Sequence, residues 1–305
     1  MDSGEGMGIA TEECGRWSHY GKGLNMLRPP NYDDFTTLKV SLNGAVATIA
    51  HIPLMVMAEQ TEEGGDIHFE LGVALNRLRE DDRVRVIIWT GEQDGEALIM
   101  RGIPEDRPLY EAWFLDAGIQ YPDPLYKGMV GVRTTMNALM EIEKPVIARV
   151  NGDAIGFAQS IMFACDLIVA AESVRIIDHH MGLSENGLPV AVAPGDGAGA
   201  LVPAHLPPAK ANEFLMLAKP ISPKELESLG VINYAVPMDE LDRVVGELVE
   251  KLLQRSSYSI GLTKRVTKRA LAQQLGLALD AASGYEWVSF LQAQGTNGEE
   301  HYELP

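Results

Sequence analysis

The chain is poor in cysteine, in positive charge and in long apolar runs, and each shortage closes off a class of protein. Its two cysteines, Cys14 and Cys165, stand far apart without C-x-x-C spacing. That spacing excludes a disulfide framework and a thiolate zinc centre, and no metal site is expected. The 25 Lys and Arg residues face 43 Asp and Glu residues, for a formal net charge of −18. A surface of that sign repels phosphate backbones and anionic bilayers, so neither nucleic acid nor a membrane is an expected partner. No apolar run is long enough to span a bilayer. No N-terminal stretch has the charged, apolar, small-residue order of a secretory signal. The expectation is a soluble cytoplasmic protein whose one basic cluster is "TKRVTKR", residues 263–269.

At 305 residues and 46% hydrophobic content the chain can bury a sizeable core, as one large domain with extensions or as two domains. Residues 1–36 are Gly-rich, acidic and without periodicity, and read as an extension. The stretch "TLKVSLNGAVATIAHI" reads as two strands about an Asn-Gly turn. The segment "IHFELGVALNRLRED" places Ile67, Leu71, Ala74, Leu75 and Leu78 on one helical face. Strand and helix signals then alternate through "VRVIIWTG", "MVGVRTTMNALMEIE", "PVIARVNG", "AQSIMFACD" and "LIVAAES". "SPKELESLG" carries a capping signal at Ser222 and a glycine stop at Gly230. Alternation of this kind predicts an α/β fold with a mainly parallel sheet. The core is placed at 37–240 and a C-terminal helical region at 241–305. Two long connections interrupt it, residues 92–128 and 178–193, and loops of that length are usually functional. Tyr110, Trp113, Phe114, Tyr121 and Tyr126 in and beside the first could line a substrate pocket or simply pack the loop.

The run "KPVIARVNGDAIGFAQSIMFACDLIVAAES", residues 144–173, resembles the signature of the crotonase (enoyl-CoA hydratase/isomerase) superfamily in register and without a gap. The later "SPKELESLGVINYAVP" resembles a second segment of the same superfamily. The resemblance implies a crotonase-like ββα superhelix with a C-terminal helical cap, assembled as a homotrimer or hexamer. It implies an oxyanion hole of two backbone N–H groups that stabilise an enolate or tetrahedral oxyanion, donors that are fixed before the charge develops. By position those donors are Phe157, after Gly156, and Arg101. No cofactor is implied beyond coenzyme A as part of a thioester substrate. Arg101, Arg107, Lys264, Arg265 and Lys268 are the basic residues available to its phosphates.

The sequence departs from the superfamily where hydratases carry two glutamates. Ser160 occupies the first position and His180 falls at or near the second, ahead of an insertion of roughly seven residues. Asp196, the one charge in "AVAPGDGAGA", matches a position at which divergent members carry a working aspartate. The string "VAPGDGAGALVPAHL" is similar to that of 6-oxocamphor hydrolase, which cleaves cyclic β-diketones. A helix-capping role for Asp196 is compatible with either reading. His179 and His180 lie upstream in the same loop, and a His–Asp pair is a workable proton carrier near neutral pH. The catalytic residues expected are therefore Asp196, His180 and His179, with Gly156, Ser160, Trp113 and Gly195 lining the pocket. Asp178 and Glu185 read as solvated loop carboxylates, with a relay role as the alternative for either, Asp166 as structural, and His68 and His205 as structural. The expected function is a lyase or isomerase of the enoyl-CoA hydratase/isomerase type acting on an acyl-CoA. The alternatives are a coenzyme A-independent retro-Claisen hydrolase of a cyclic diketone, and a non-catalytic relative.

Overall fold

The computed structural model describes residues 29–52, 67–98, 124–181 and 191–295. Strands β1 (Leu38–Asn43) and β2 (Val46–His51) form the expected antiparallel hairpin, with Asn43 opposite Val46. Gly44 supplies the positive φ of +57° that this two-residue turn requires. Helix α1 (Ile67–Glu80) follows, and all five residues of its predicted apolar face are buried. Strand β3 (Val86–Gly91) runs parallel to β2, α2 (Pro124–Glu141) crosses back, and β4 (Val146–Val150) adds parallel to β3. The helices α1 and α2 touch backbone to backbone because Gly72 meets Thr134 and Thr135 while Gly131 meets His68 and Phe69. Thr135 Oγ1 locks that crossing with a 2.7 Å hydrogen bond to the His68 carbonyl.

After β4 come β5 (Ala154–Ile155), α3 (Phe157–Ala164), β6 (Leu167–Ala171) and β7 (Ile176–Ile177). The main sheet has the order β1-β2-β3-β4-β6-β8, where β8 is Tyr234–Val236. β5 and β7 pair in parallel as a separate two-stranded ribbon. Two-residue strands leave no periodic trace, and the sequence reading did not contain them. Between β7 and β8 lie α4 (Ala198–His205), α5 (Pro208–Met216) and α6 (Pro223–Ser228). Ser222 caps α6 by accepting from the Glu225 N–H. Helices α7 (Leu241–Leu253), α8 (Ser257–Thr267) and α9 (Arg269–Gly295) complete the chain, with α9 packed on α4 and α2.

One asparagine ties the sheet ends nearest the site. Asn151 Oδ1 accepts from Thr90 Oγ1 and the Gly91 N–H, both at 3.0 Å, and its Nδ2 donates to Asp94 at 2.9 Å. Gly152 follows, and a Cβ there would overlap the Glu96 carbonyl oxygen. The Asn-Gly pair of "RVNG" is thus a crossing point between the β3 and β4 termini. Asp166 is structural, as expected: it accepts from the Val146 N–H at 2.8 Å and pairs with Lys264 at 2.6 Å.

His51 ends β2 fully buried, edge-on to Trp89 with ring centroids 5.9 Å apart. Burial pushes its imidazole down to about 3. A folded value below the unfolded 6.5 means the stabilising contribution is complete above pH 6.5 and is lost as pH falls towards 3. At pH 5 that loss is on the order of 2 kcal/mol. The midpoint of urea unfolding is expected to fall between pH 7 and pH 5, and less so in His51→Leu; equal losses in both proteins would remove His51 as the cause.

Candidate active site

Helix α3 starts at Phe157, so the Phe157 N–H, like any in a first turn, has no acceptor inside its helix and lies at the positive end of the dipole. Gly156 precedes it with φ +55° and ψ −118°, a conformation only glycine holds without strain. Its missing Cβ leaves room for an imidazole: a Cβ at Gly156 would overlap the Nδ1–Cε1 edge of the His179 ring, 1.9 Å from Cε1 and 2.1 Å from Nδ1. That ring stacks on His180, with centroids 4.7 Å apart and planes 13° from parallel. The sequence-predicted histidines and the predicted Phe157 donor therefore share one wall.

His180 is the hub. Its Nδ1 sits 3.0 and 3.1 Å from the two oxygens of Asp178, which also accepts the His180 backbone N–H at 3.0 Å. Its Nε2 faces Asp196 Oδ2 at 3.8 Å and Glu286 Oε1 at 3.4 Å. Asp178 is fully buried rather than solvated, because the imidazole supplies the charge and the donors that a buried carboxylate needs. Burial works against the Asp178 charge, but the His180 cation and its hydrogen bonds outweigh this and hold the carboxyl below its usual value. Burial also opposes the charge on His180, yet the Asp178 and Asp196 charges prevail and raise it well above 6.5. Asp196 moves the other way from Asp178. Its burial, with Asp178 and Glu286 nearby, lifts the carboxyl above the ordinary aspartate range despite His180 and the Ser160 hydrogen bond. His179, buried beside the His180 cation, is pushed down to about 3 and stays neutral.

Asp196 lies one residue before the helix boundary, since Gly197 with φ +110° occupies the cap of α4. The carboxylate still accepts the N–H of Ala198, the first residue of α4, at 3.2 Å through Oδ1. Ser160 is buried in α3 and donates to the same Oδ1 at 2.9 Å. Gly195 is required for a reason the sequence did not carry: a Cβ there would collide with the Glu286 carboxylate reaching in from α9. Ser283 of α9 anchors that strip by donating to the Gly195 carbonyl at 2.9 Å.

Three groups of this site were absent from the sequence reading or misread in it: Asp178, Gln159 and Glu286. The triplet "DHH" held the signal for Asp178, a carboxylate two residues before an imidazole. Glu286 had none in its own neighbourhood, being one of two acids in a long helix, with Asp280, until the fold delivers it. Arg101, Arg107, Tyr110, Trp113, Phe114, Tyr121 and Glu185, and the side chain of Tyr126, lie outside the described residues. Lys264, Arg265 and Lys268 are engaged within the chain: Lys264 with Asp166 and the Lys144 carbonyl, Arg265 with Glu143, and Lys268 with the Ala164 and Cys165 carbonyls. Asp178, His180 and Asp196 offer three ligand atoms within 4.8 Å of one another. Asp178, however, has both oxygens committed to His180 Nδ1.

The parallel sheet with crossing helices, the β5–β7 ribbon and the helix start beside it define a crotonase-like α/β fold. The sequence profile of the enoyl-CoA hydratase/isomerase family matches residues 128–298. A carnitinyl-CoA dehydratase of Salmonella heidelberg (strain SL476) is 30% identical over 198 residues, 65% of this chain and 69% of that protein. The chain belongs to the enoyl-CoA hydratase/isomerase family. Among solved structures, an enoyl-CoA hydratase/isomerase from Mycobacterium paratuberculosis superposes with a TM-score of 0.69 at 23% identity, covering 85% of this chain and 95% of that one. A beta-diketone hydrolase from Anabaena sp. PCC 7120, bound to (S)-3-oxocyclohexyl acetic acid, superposes with a TM-score of 0.70 at 19% identity, covering 88% and 100%.

Proposed function

We propose that this chain is a proton-transfer enzyme of its family. In this reading it forms an enolate from a carbonyl substrate on the Phe157 N–H and moves the proton with Asp196 and His180. The observation that carries this is the position of His180: clamped by Asp178 on one side, it faces Asp196 and Glu286 on the other, and it stacks on the His179 ring whose edge fills the space beside Gly156. The raised Asp196 carboxylate is a stronger base than an exposed aspartate, and it would take the proton from the carbon beside the carbonyl. Charge building on the substrate oxygen would be met by the backbone donor at the start of α3. The imidazolium of His180 lies beside Asp196 and would stabilise the enolate or return the proton. The acyl-CoA relatives at 30% identity favour a thioester as substrate, and a lyase or isomerase as the reaction.

A second reading is retro-Claisen hydrolysis of a cyclic β-diketone. It is favoured by the pairing of a base and an acid in one pocket: one takes a proton from attacking water, the other protonates the carbon of the departing enolate. The engagement of Lys264, Arg265 and Lys268 inside the chain also supports it, since those cations are not directed at a nucleotide in this protomer.

Titration calorimetry with coenzyme A and acetyl-CoA, followed by an enoyl-CoA panel, separates the two. Micromolar binding with turnover of an unsaturated thioester is expected. No binding, together with ring opening of cyclic diketones to oxo acids, would replace the first reading by the second. Silence in both assays would sink both.

A further inference from the structure

Five side chains close a ring around the proposed proton carrier. His180 Nδ1 meets Asp178, and Gln159 Nε2 lies 3.4 Å from Asp178 Oδ2. The same Gln159 nitrogen donates to Ser160 Oγ at 2.9 Å, Ser160 donates to Asp196 Oδ1, and Asp196 Oδ2 faces His180 Nε2. We propose that Gln159 is a positioning residue that fixes the two aspartates on opposite sides of His180. It would do so by donating one amide hydrogen directly to Asp178 and the other, through Ser160, towards Asp196.

The direction of the chain follows from what each group can do. An amide nitrogen only donates, so Ser160 Oγ accepts from Gln159 and its own hydrogen is left for Asp196. The opposite amide orientation would set a carbonyl oxygen against the Asp178 carboxylate and against a hydroxyl already committed to Asp196. With Oδ1 of Asp196 occupied by Ser160 and the Ala198 N–H, the oxygen left for proton exchange is Oδ2, the one that faces the imidazole. Gln159 and Ser160 are both fully buried on α3, whose N-terminus carries the Phe157 donor. One short helix thus sets the donor and the orientation of both carboxylates. Gln159 touches no proposed reacting atom and acts only through Asp178 and Ser160.

This inference rests on the assignment of Asp196 and His180 as proton carriers, and its test does not need a known substrate. The groups facing Asp196 are His180, Asp178, Glu286 and Ser160, so its titration reads the ring directly. Carbon-13 NMR of aspartate-labelled protein is expected to show the Asp196 midpoint rising in Gln159→Met by about half a unit, less than the loss of a charge-assisted hydrogen bond itself, since Ser160 still donates to Asp196 and only its orientation is freed. Ser160→Ala is expected to raise it as far or further, and the double variant no further than Ser160→Ala alone. A purely packing role for Gln159 would lower the melting temperature and leave the midpoint in place, and that result would overturn the proposal. If Gln159→Met does not fold, Ser160→Ala decides: an unchanged Asp196 midpoint there overturns it too. A shifted midpoint with no turnover of any thioester or diketone would leave the ring intact and defeat the functional reading instead.

Discussion

Asp196→Asn is expected to cut kcat by about 10²–10⁴-fold while the protein stays folded, the ordinary cost of losing a positioned acid or base; His180→Ala is expected to cut it as far and also to lower the melting temperature, because it leaves Asp178 buried without its cation. Asp178→Asn is the more informative change. The His180 imidazole is held well above its usual value because carboxylates face both its nitrogens, Asp178 on the Nδ1 side and Asp196 and Glu286 on the Nε2 side. With His180 as the acid and Asp196 as the base, activity would need Asp196 ionised and His180 protonated. The pH profile is then a bell whose acid limb lies above the ordinary aspartate value and whose basic limb lies well above 6.5. Removing the Asp178 charge lowers the His180 value, so the basic limb moves to lower pH, and the loss of rate is greatest on the alkaline side. The acid limb is set by Asp196 and moves less. Profiles of kcat/KM between pH 5 and 10 for the parent and Asp178→Asn check this. A basic limb that stays in place in Asp178→Asn would show that His180 is not the group titrating there.

Residues close in sequence made themselves legible; residues joined by the fold did not. The Asn-Gly hairpin, the apolar stripe of α1 and the Ser222 cap are local devices, each written within one turn or one strand pair. The run at 144–173 gave the frame of α3 and the Phe157 donor for the same reason. Asp178 was misread because a charged residue in a glycine-bearing loop is normally solvated, and only the neighbouring imidazole makes its burial tolerable. Ser160 was read from its place in the signature as lining the pocket; it is buried in α3 and holds Asp196. Glu286 arrives from α9, ninety residues after Asp196, and its presence is written instead in the small size of Gly195. Gln159 was passed over because the partners of an amide in an apolar helix show only once the fold is formed: Asp178 on another segment and, through Ser160 of the same helix, Asp196 on a third.

Gly156→Ala is expected to damage stability and chemistry together, by two separable routes. The backbone at φ +55°, ψ −118° costs a residue with a Cβ about 1–3 kcal/mol wherever it occurs. The new methyl also lands in the His179 ring, and a core cannot absorb that overlap without moving side chains, at about 1–3 kcal/mol more. His179 cannot move alone, since it is stacked on His180. Displacing the pair would pull Nε2 of His180 out of register with Asp196, and a shift of about 1 Å at a reacting group costs about 10²-fold in rate. The double variant Gly156→Ala/His179→Ala tells the routes apart. Emptying the ring's space removes the overlap but not the backbone strain, so the second substitution should restore part of the lost melting temperature. It should not restore full activity, because His180 then lacks the ring that it stacks on. A double variant no more stable than Gly156→Ala alone would mean that the left-handed backbone, not the imidazole, is why this position is glycine.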